Sequence, residues 1–208
     1  MTLLALEFSS DRRSVALARG GVVLAEAVQH TESRATDALG MIQSVLDQAK
    51  MSRAEIGVIA VGLGPGSYTG IRAAIAVAQG WQLATGVKLL GVSSVEVIGV
   101  QAQVAKFFGR VNVIVDAQRG EFYLGAGEIS ADRRVELEPL KIVSAVELQA
   151  LKDAREICVG PEHSEFFPAA AVVARLAAGR NDFVRGEDLT PVYLRETSFV
   201  KALPVREI

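Results

Sequence analysis

"AVGLGPGSYTGIRAA", Ala60 to Ala74, joins an apolar run to an alanine-rich stretch through Gly62, Gly64, Pro65 and Gly66. Upstream, "EIGVIAVG", Glu55 to Gly62, is β-branched and apolar, the pattern of a buried strand. Downstream, "TGIRAAIAVAQGWQLATG" from Thr69 has helical spacing and a stop at Gly86. The stretch is therefore a strand-to-helix turn. Gly64 and Gly66 permit positive φ and close backbone approach, and Pro65 stiffens the turn. Ser67 or Thr69 can cap the helix by accepting from its free N–H groups. Those N–H groups and the helix dipole suit an anion. Gly64, Gly66, Ser67, Tyr68, Thr69, Gly70 and Arg72 are thus candidate phosphate or nucleotide contacts. The plainer alternative is a tight turn with a capped helix. The spacing is not a Walker loop, since no Lys follows the last Gly, nor GxGxxG, since Ser67 stands where the third Gly belongs. It is not a GxSxG elbow either, because Ser67 follows Gly66 directly.

Outward from this loop, the chain reads as two α/β units. Leu3 to Phe8 is a strand, and "SVALARGGVVLAEAVQ" is a hairpin around Gly20–Gly21. A helix is expected from about Ser33 to Lys50, with a stripe of Ala38, Ile42, Val45 and Ala49 flanked by Leu39 and Leu46. After the loop and its helix, "KLLGVS" is a strand and "SVEVIGVQAQVAKFF" a helix opened by Ser93 or Ser94. The pattern restarts at Gly109. "RVNVIVDAQRGEFYLGAGEI" is strand, turn and strand, "SAVELQAL" a short helix, "REICVG" a strand, and "PAAAVVARLAAG" a helix ended by Gly179. "DLTPVYLRETSF" reads as irregular. The expected units are 1–108 and 109–208. Two α/β lobes with early hairpins suggest an actin-like architecture with a cleft between the lobes.

The chain has 208 residues, 50% hydrophobic and 22% charged, a globular composition. Roughly 70% of the unfolded surface of such a chain is buried on folding. The net charge of −2 argues against a broad electrostatic grip on nucleic acid. The single cysteine, Cys158, reads as a strand thiol and fits the cytoplasm. The opening "LLALEF" has neither a basic region before it nor a cleavage site after it, and is expected to be strand rather than leader. The apolar run Ile71 to Ala78 is interrupted by Gln79, Gly80 and Gln82, too soon for a membrane span.

Candidate chemistry is sparse. His30 and His163 lie far apart without a second His at ligand spacing, so no metal site is expected. Glu7 on the first strand and Asp116 at the end of the second unit's first strand could face a cleft as magnesium ligands. The plainer reading gives Glu7 a local hydrogen bond and makes Asp116 the cap of a turn with Arg119.

These residues resemble a known family. "AVGLGPGSYTGIRAAIAVAQGWQLATGVKLLGVSSVE", Ala60 to Glu96, is similar to the signature of the bacterial TsaB (YeaZ) proteins: a glycine loop, a small-residue helix and a "GVSSLE"-like segment. "DAQRGEFY", Asp116 to Tyr123, and "PVYLRE", Pro191 to Glu196, resemble two later motifs in the family's order. The start departs from the family: "LALEFSS" puts Glu7 for Asp and Phe8 for Thr. "SRATDAL" places Arg34, Ala35 and Thr36 where members often carry His-Ser-Glu. The resemblance implies a two-lobed actin-like (ASKHA, ribonuclease H-like) α/β fold. It implies a non-catalytic partner subunit in making threonylcarbamoyladenosine beside the anticodon of tRNAs reading ANN codons. The implied partners are TsaD and TsaE, with a homodimer as a further assembly and tRNA reached only through the complex. No cofactor of its own is implied, ATP or ADP belonging to the partner complex. The competing reading is a self-sufficient small-molecule kinase of the actin-like superfamily.

The helix after the loop bears on that choice. At 100° per residue, Ile71, Ala74, Ile75, Ala78 and Trp81 share one face, suited to the sheet. The opposite face carries Ala73, Ala76, Val77, Gly80, Leu83 and Ala84, with Arg72 and Gln79 at its edge. A helix apolar all round is normally buried all round. Its second neighbour is the first helix alone or another subunit as well; the resemblance points to the subunit, through Ala73, Ala76, Val77, Gly80 and Leu83. Arg72 in the first turn opposes the dipole, which calls for an anionic neighbour, a nucleotide phosphate or a partner carboxylate.

Overall fold

The computed structural model describes residues 1–30, 36–161 and 166–194. The first sheet contains β1 (Thr2–Glu7), β2 (Arg12–Arg19), β3 (Val22–His30), β4 (Ile56–Gly62) and β5 (Lys88–Val92). Its order is β3-β2-β1-β4-β5. The hairpin pairings β1–β2 and β2–β3 are antiparallel, while β1–β4 and β4–β5 are parallel. Parallel neighbours need crossovers, and these are α1 (Ala38–Ala49) and α2 (Tyr68–Thr85).

Period-two alternation puts Leu4 and Leu6 on one face of β1, with Ile42, Val45, Ile71 and Ala74 of α1 and α2. Leu3 and Ala5 take the other face, against Ala170, Val173 and Ala174 of the late helix α5 (Ala170–Ala177). Covered on both sides, β1 is buried along its whole length. The α5 face is built of small residues, Ala5, Ala16, Ala18 and Ala60, which let the helix come close.

The second sheet has order β8-β7-β6-β9, from β6 (Gly109–Asp116), β7 (Glu121–Ile129), β8 (Arg134–Ser144) and β9 (Ile157–Val159). α3 (Ser94–Val104) lies between the lobes. Its Val97 belongs to the first lobe's core, and its Ile98 and Ala102 to that of the second sheet. On the second sheet's other face, α4 (Ala145–Asp153) places Leu148 against Ile114, Leu124 and Val143.

Several expectations change. α1 begins at Ala38 behind the cap Asp37, whose side chain accepts from the Gly40 amide, and Lys50 is its left-handed stop. Ser33, Arg34 and Ala35 lie outside the described residues. Leu39, expected beside the buried stripe, is 64% exposed. β8 was not expected: its charged residues and Pro139 hide a strand held by pairing with β7. The chain from residue 109 onward is not one lobe. After β9 it returns to the first sheet, where α5 packs, Leu189 enters the first core, and the Val184 amide donates to the Leu89 carbonyl at 3.0 Å. Apolar contact outweighs sequence proximity here: Ala170, Val173 and Ala174 are fully buried on a sheet whose strands begin at residue 2.

Candidate functional site

The turn between β4 and α2 sits directly on the connection between β1 and β2. The Ser67 amide donates to the Ser9 carbonyl at 2.6 Å, the Leu63 amide to Val92 at 2.8 Å, and the Ser94 amide to the Gly64 carbonyl at 2.9 Å. A Cβ at Gly66 would overlap the Ser9 carbonyl, and one at Gly70 the Phe8 carbonyl. These glycines therefore serve the protein's own backbone, and the groups pressed against them are carbonyl oxygens, which repel an anion. Gly64 and Gly66 have φ of 86° and 145°, and Gly64–Pro65 is cis. Ser67 caps α2, its hydroxyl accepting from the Gly70 amide; the helix starts at Tyr68, so Thr69 is not the cap.

Glu7 lies beneath this turn and is 0% exposed. Oε1 accepts from the Ser9 amide at 2.8 Å and Oε2 from the Ser94 hydroxyl at 3.0 Å. A side chain at Gly62 would collide with Oε2. Burial pushes the carboxyl above its ordinary value, against the lowering effect of the Ser9 and Ser94 hydrogen bonds. Asp116 is a different case. Oδ1 accepts from the Gln118 amide at 2.7 Å and Oδ2 from the Gln118 side chain at 2.6 Å. It caps its turn, in line with the plainer expectation, but its partner is Gln118 rather than Arg119. Gln118, Arg119 and Gly120 are all left-handed, with φ of 67°, 62° and 75°.

Arg72 stands outside the turn. Its guanidinium lies 5.1 Å above the Tyr68 ring and donates to the Tyr68 hydroxyl. The anionic neighbour expected from the sequence is replaced, among the described residues, by an aromatic face and a phenol oxygen. Tyr68 also stacks on Tyr193, centroids 5.0 Å apart. Tyr193 arrives on the late segment whose sequence shows no regular pattern. The Val192 amide donates to the Leu63 carbonyl at 2.9 Å. Earlier in the segment, the Gly186 carbonyl and amide bond Gln79 and Gln82 of α2, each at 2.7 Å. The glycine-loop motif and the late "PVYL" motif thus meet in space. Gln79, Gln82, Ser9, Ser94 and Tyr193 were missed as site residues; only the "GVSS" and "PVYL" motifs signalled the last two.

On α2, Ile71, Ala74, Ile75 and Ala78 are buried and Trp81 is half-buried. On the opposite face, Ala73 and Val77 are half-buried, while Ala76, Gly80, Leu83 and Ala84 are exposed, Leu83 to 89%. Val77 packs against the first core, so the face is open at Ala76, Gly80, Leu83 and Ala84; α1 packs chiefly on β2 and β3.

Among the described residues, no group of three or more His, Cys, Asp or Glu could hold a metal. His30 ends β3 in an exposed position, and His163 lies outside the described residues. Cys158 is a half-buried thiol on β9, raised by burial and then by Glu156. No described helix is long and apolar enough to cross a membrane.

The strand order, the antiparallel hairpin ahead of parallel strands and the second α/β lobe define a two-lobed actin-like (ribonuclease H-like) protein. A family model described as TsaD, tRNA N6-adenosine threonylcarbamoyltransferase, matches residues 3–177, and the chain belongs to this family, on its TsaB (YeaZ) side. It is 31% identical over 126 residues to the tRNA threonylcarbamoyladenosine biosynthesis protein TsaB of Bacillus subtilis, covering 60% of this chain and 54% of that protein. With the Escherichia coli TsaB, identity is 33% over 123 residues, covering 59% and 53%. The chain thus spans about half the length of the curated relatives it matches. The solved YeaZ of Pseudomonas aeruginosa is 25% identical with a TM-score of 0.77, covering 93% of this chain and 99% of that one.

Proposed function

We propose that this chain is a cytoplasmic, non-catalytic partner subunit in threonylcarbamoyl transfer to the adenosine beside the anticodon of tRNAs reading ANN codons. Its partners are the TsaD transferase and the TsaE ATPase, and a homodimer uses the same surface of α2. ATP or ADP is held in the assembly rather than by this chain alone, and tRNA is reached through the assembly. One observation carries the reading. The corner where Glu7 and the glycine loop meet is closed on itself: both carboxylate oxygens take donors from the chain, and Gly66 and Gly70 lie against carbonyls. The small-residue face of α2 is open at Ala76, Gly80, Leu83 and Ala84, which suits a second helix. Names of relatives that make threonylcarbamoyladenosine support the pathway.

Reconstitution tests this. The purified chain with magnesium and ATP is expected to show no turnover alone, and to be required for tRNA modification with TsaD and TsaE. ATP turnover by the chain alone would instead favour a self-sufficient kinase. Ala76→Glu locates the surface. Ala76 is exposed, so the free chain should keep its melting temperature. Burying the unpaired carboxylate on association costs several kcal/mol, a weakening of roughly a thousandfold. An intact TsaD complex would remove α2 from the interface.

A further inference from the structure

The chain has three tyrosines, and each lies in one of the three motifs: Tyr68 in the glycine loop, Tyr123 in "DAQRGEFY" and Tyr193 in "PVYL". The fold brings two of them together. Tyr193 stacks on Tyr68, which starts α2 in the first lobe. The Tyr193 phenol is pushed up to about 12 by burial, then by Tyr68, against the lowering effect of Arg72, with a further rise from Tyr123 of β7.

The segment that delivers it is firmly tied. Gly186 is clamped by Gln79 and Gln82, Leu189 is buried in the first core, and Val192 bonds Leu63. Yet its end faces outward: Tyr193 is 40% exposed and Tyr68 53%. Arg72 is exposed beside Tyr68 and has no carboxylate partner among the described residues. A guanidinium and two tyrosines thus form one cluster at the end of the α2 face. Exposed Tyr and Arg side chains held rigid are the residue types that concentrate binding energy at protein interfaces. A guanidinium without a carboxylate partner among the described residues selects a carboxylate across the interface.

We propose that Leu189–Leu194 is a strap that fixes the docking end of α2, with Tyr193 as its positioning residue, and that the surface it makes takes a carboxylate-bearing segment of a partner protein on Arg72. The inference rests on the reading of this chain as a partner subunit.

The test is titration of the full chain with the purified TsaD subunit of the same organism. Tyr193→Ala and Tyr68→Ala are each expected to weaken binding about tenfold or more. Tyr193→Phe keeps the ring and stays within about twofold of the parent. Arg72→Gln weakens binding and flattens its salt dependence. Near-ultraviolet circular dichroism of the free chain reports the stack: Tyr193→Ala and Tyr68→Ala both lose the coupled tyrosine signal. If Tyr193→Ala melts early, Tyr68→Ala at its exposed position decides the matter. Parental affinity in a variant that has lost the tyrosine signal overturns the inference and leaves the partner reading standing. Absence of binding by the parent chain overturns both. Tight tRNA binding by the free chain, lost in Arg72→Gln while TsaD binding persists, assigns the stack to nucleic acid and overturns it as well. An increase in affinity on Glu196→Gln shows that the chain's own carboxylate competes for Arg72, and it too overturns the inference.

Discussion

Glu7 and Asp116 occupy the same place in two sheets. Each ends the first strand of its lobe, β1 or β6, just before the strand turns back as a hairpin. Their environments nevertheless differ in kind. Glu7 is roofed by the glycine loop and the start of α3, and both its oxygens are bonded inside the protein. Asp116 has no such roof among the described residues, and the bonds to its carboxylate come from Gln118, two residues on. In the first lobe a parallel strand and a following helix return over the acid; in the second, β9 pairs with β6 only as far as Val113. An acid at a given place in a topology thus acquires its chemistry from what covers it.

The most damaging way to break the contrast is to lift the roof. Gly66→Ala puts a methyl group into the Ser9 carbonyl at a φ of 145°, where neither side is a flexible side chain. A loss of about 3 kcal/mol is expected in chemical denaturation. A loss below about 1 kcal/mol would mean that the loop can rise off the β1–β2 turn at little cost.

Next comes the acid itself. Glu7→Ala leaves the Ser9 amide and Ser94 hydroxyl without acceptors and opens a cavity, expected to cost about 2–4 kcal/mol. Glu7→Gln keeps an acceptor for Ser9, and its amide can donate to Ser94. This variant sharpens the comparison through pH. The folded pKa of Glu7 is raised, so the native state holds its proton more tightly than the unfolded chain. Its contribution is full below the ordinary carboxylate range and is lost as pH rises through the folded value. Wild type should therefore lose stability relative to Glu7→Gln as pH climbs above the ordinary carboxylate range. Subtracting one profile from the other cancels exposed carboxylates such as Glu55 and Glu147, whose lowered pKa values run in the opposite sense. A pH-independent difference would show that Glu7 titrates normally.

The smallest effect belongs to the second lobe. Asp116→Ala removes one turn cap and should cost less than about 1 kcal/mol, with melting the simplest readout. A loss as large as that of Glu7→Ala would erase the distinction between the two corners.

Much of the first lobe is written locally. β-branched runs, Gly20–Gly21, the Ser67 cap and the Gly86 stop mark β1 to β5 and α2 within a residue or two of where they lie. The apolar second face of α2 is also legible, because helical periodicity is a short-range property. β8 was not, since charges and Pro139 interrupt its apolar alternation and the ladder to β7 makes it a strand.

Sequence alone determined the strand–loop–helix unit, the two early hairpins and the three motifs that mark the family. Those features depend on residues a few positions apart, whose propensities act before any tertiary contact forms. Tertiary structure decided the rest. It sealed Glu7 with a hydroxyl 87 positions away, returned α5 to the first sheet, and set Tyr193 on Tyr68. It also gave Arg72 a phenol in place of the anion its dipole position suggested. Such pairings follow from which apolar surfaces can be buried together across the whole chain, and no local spacing encodes that choice.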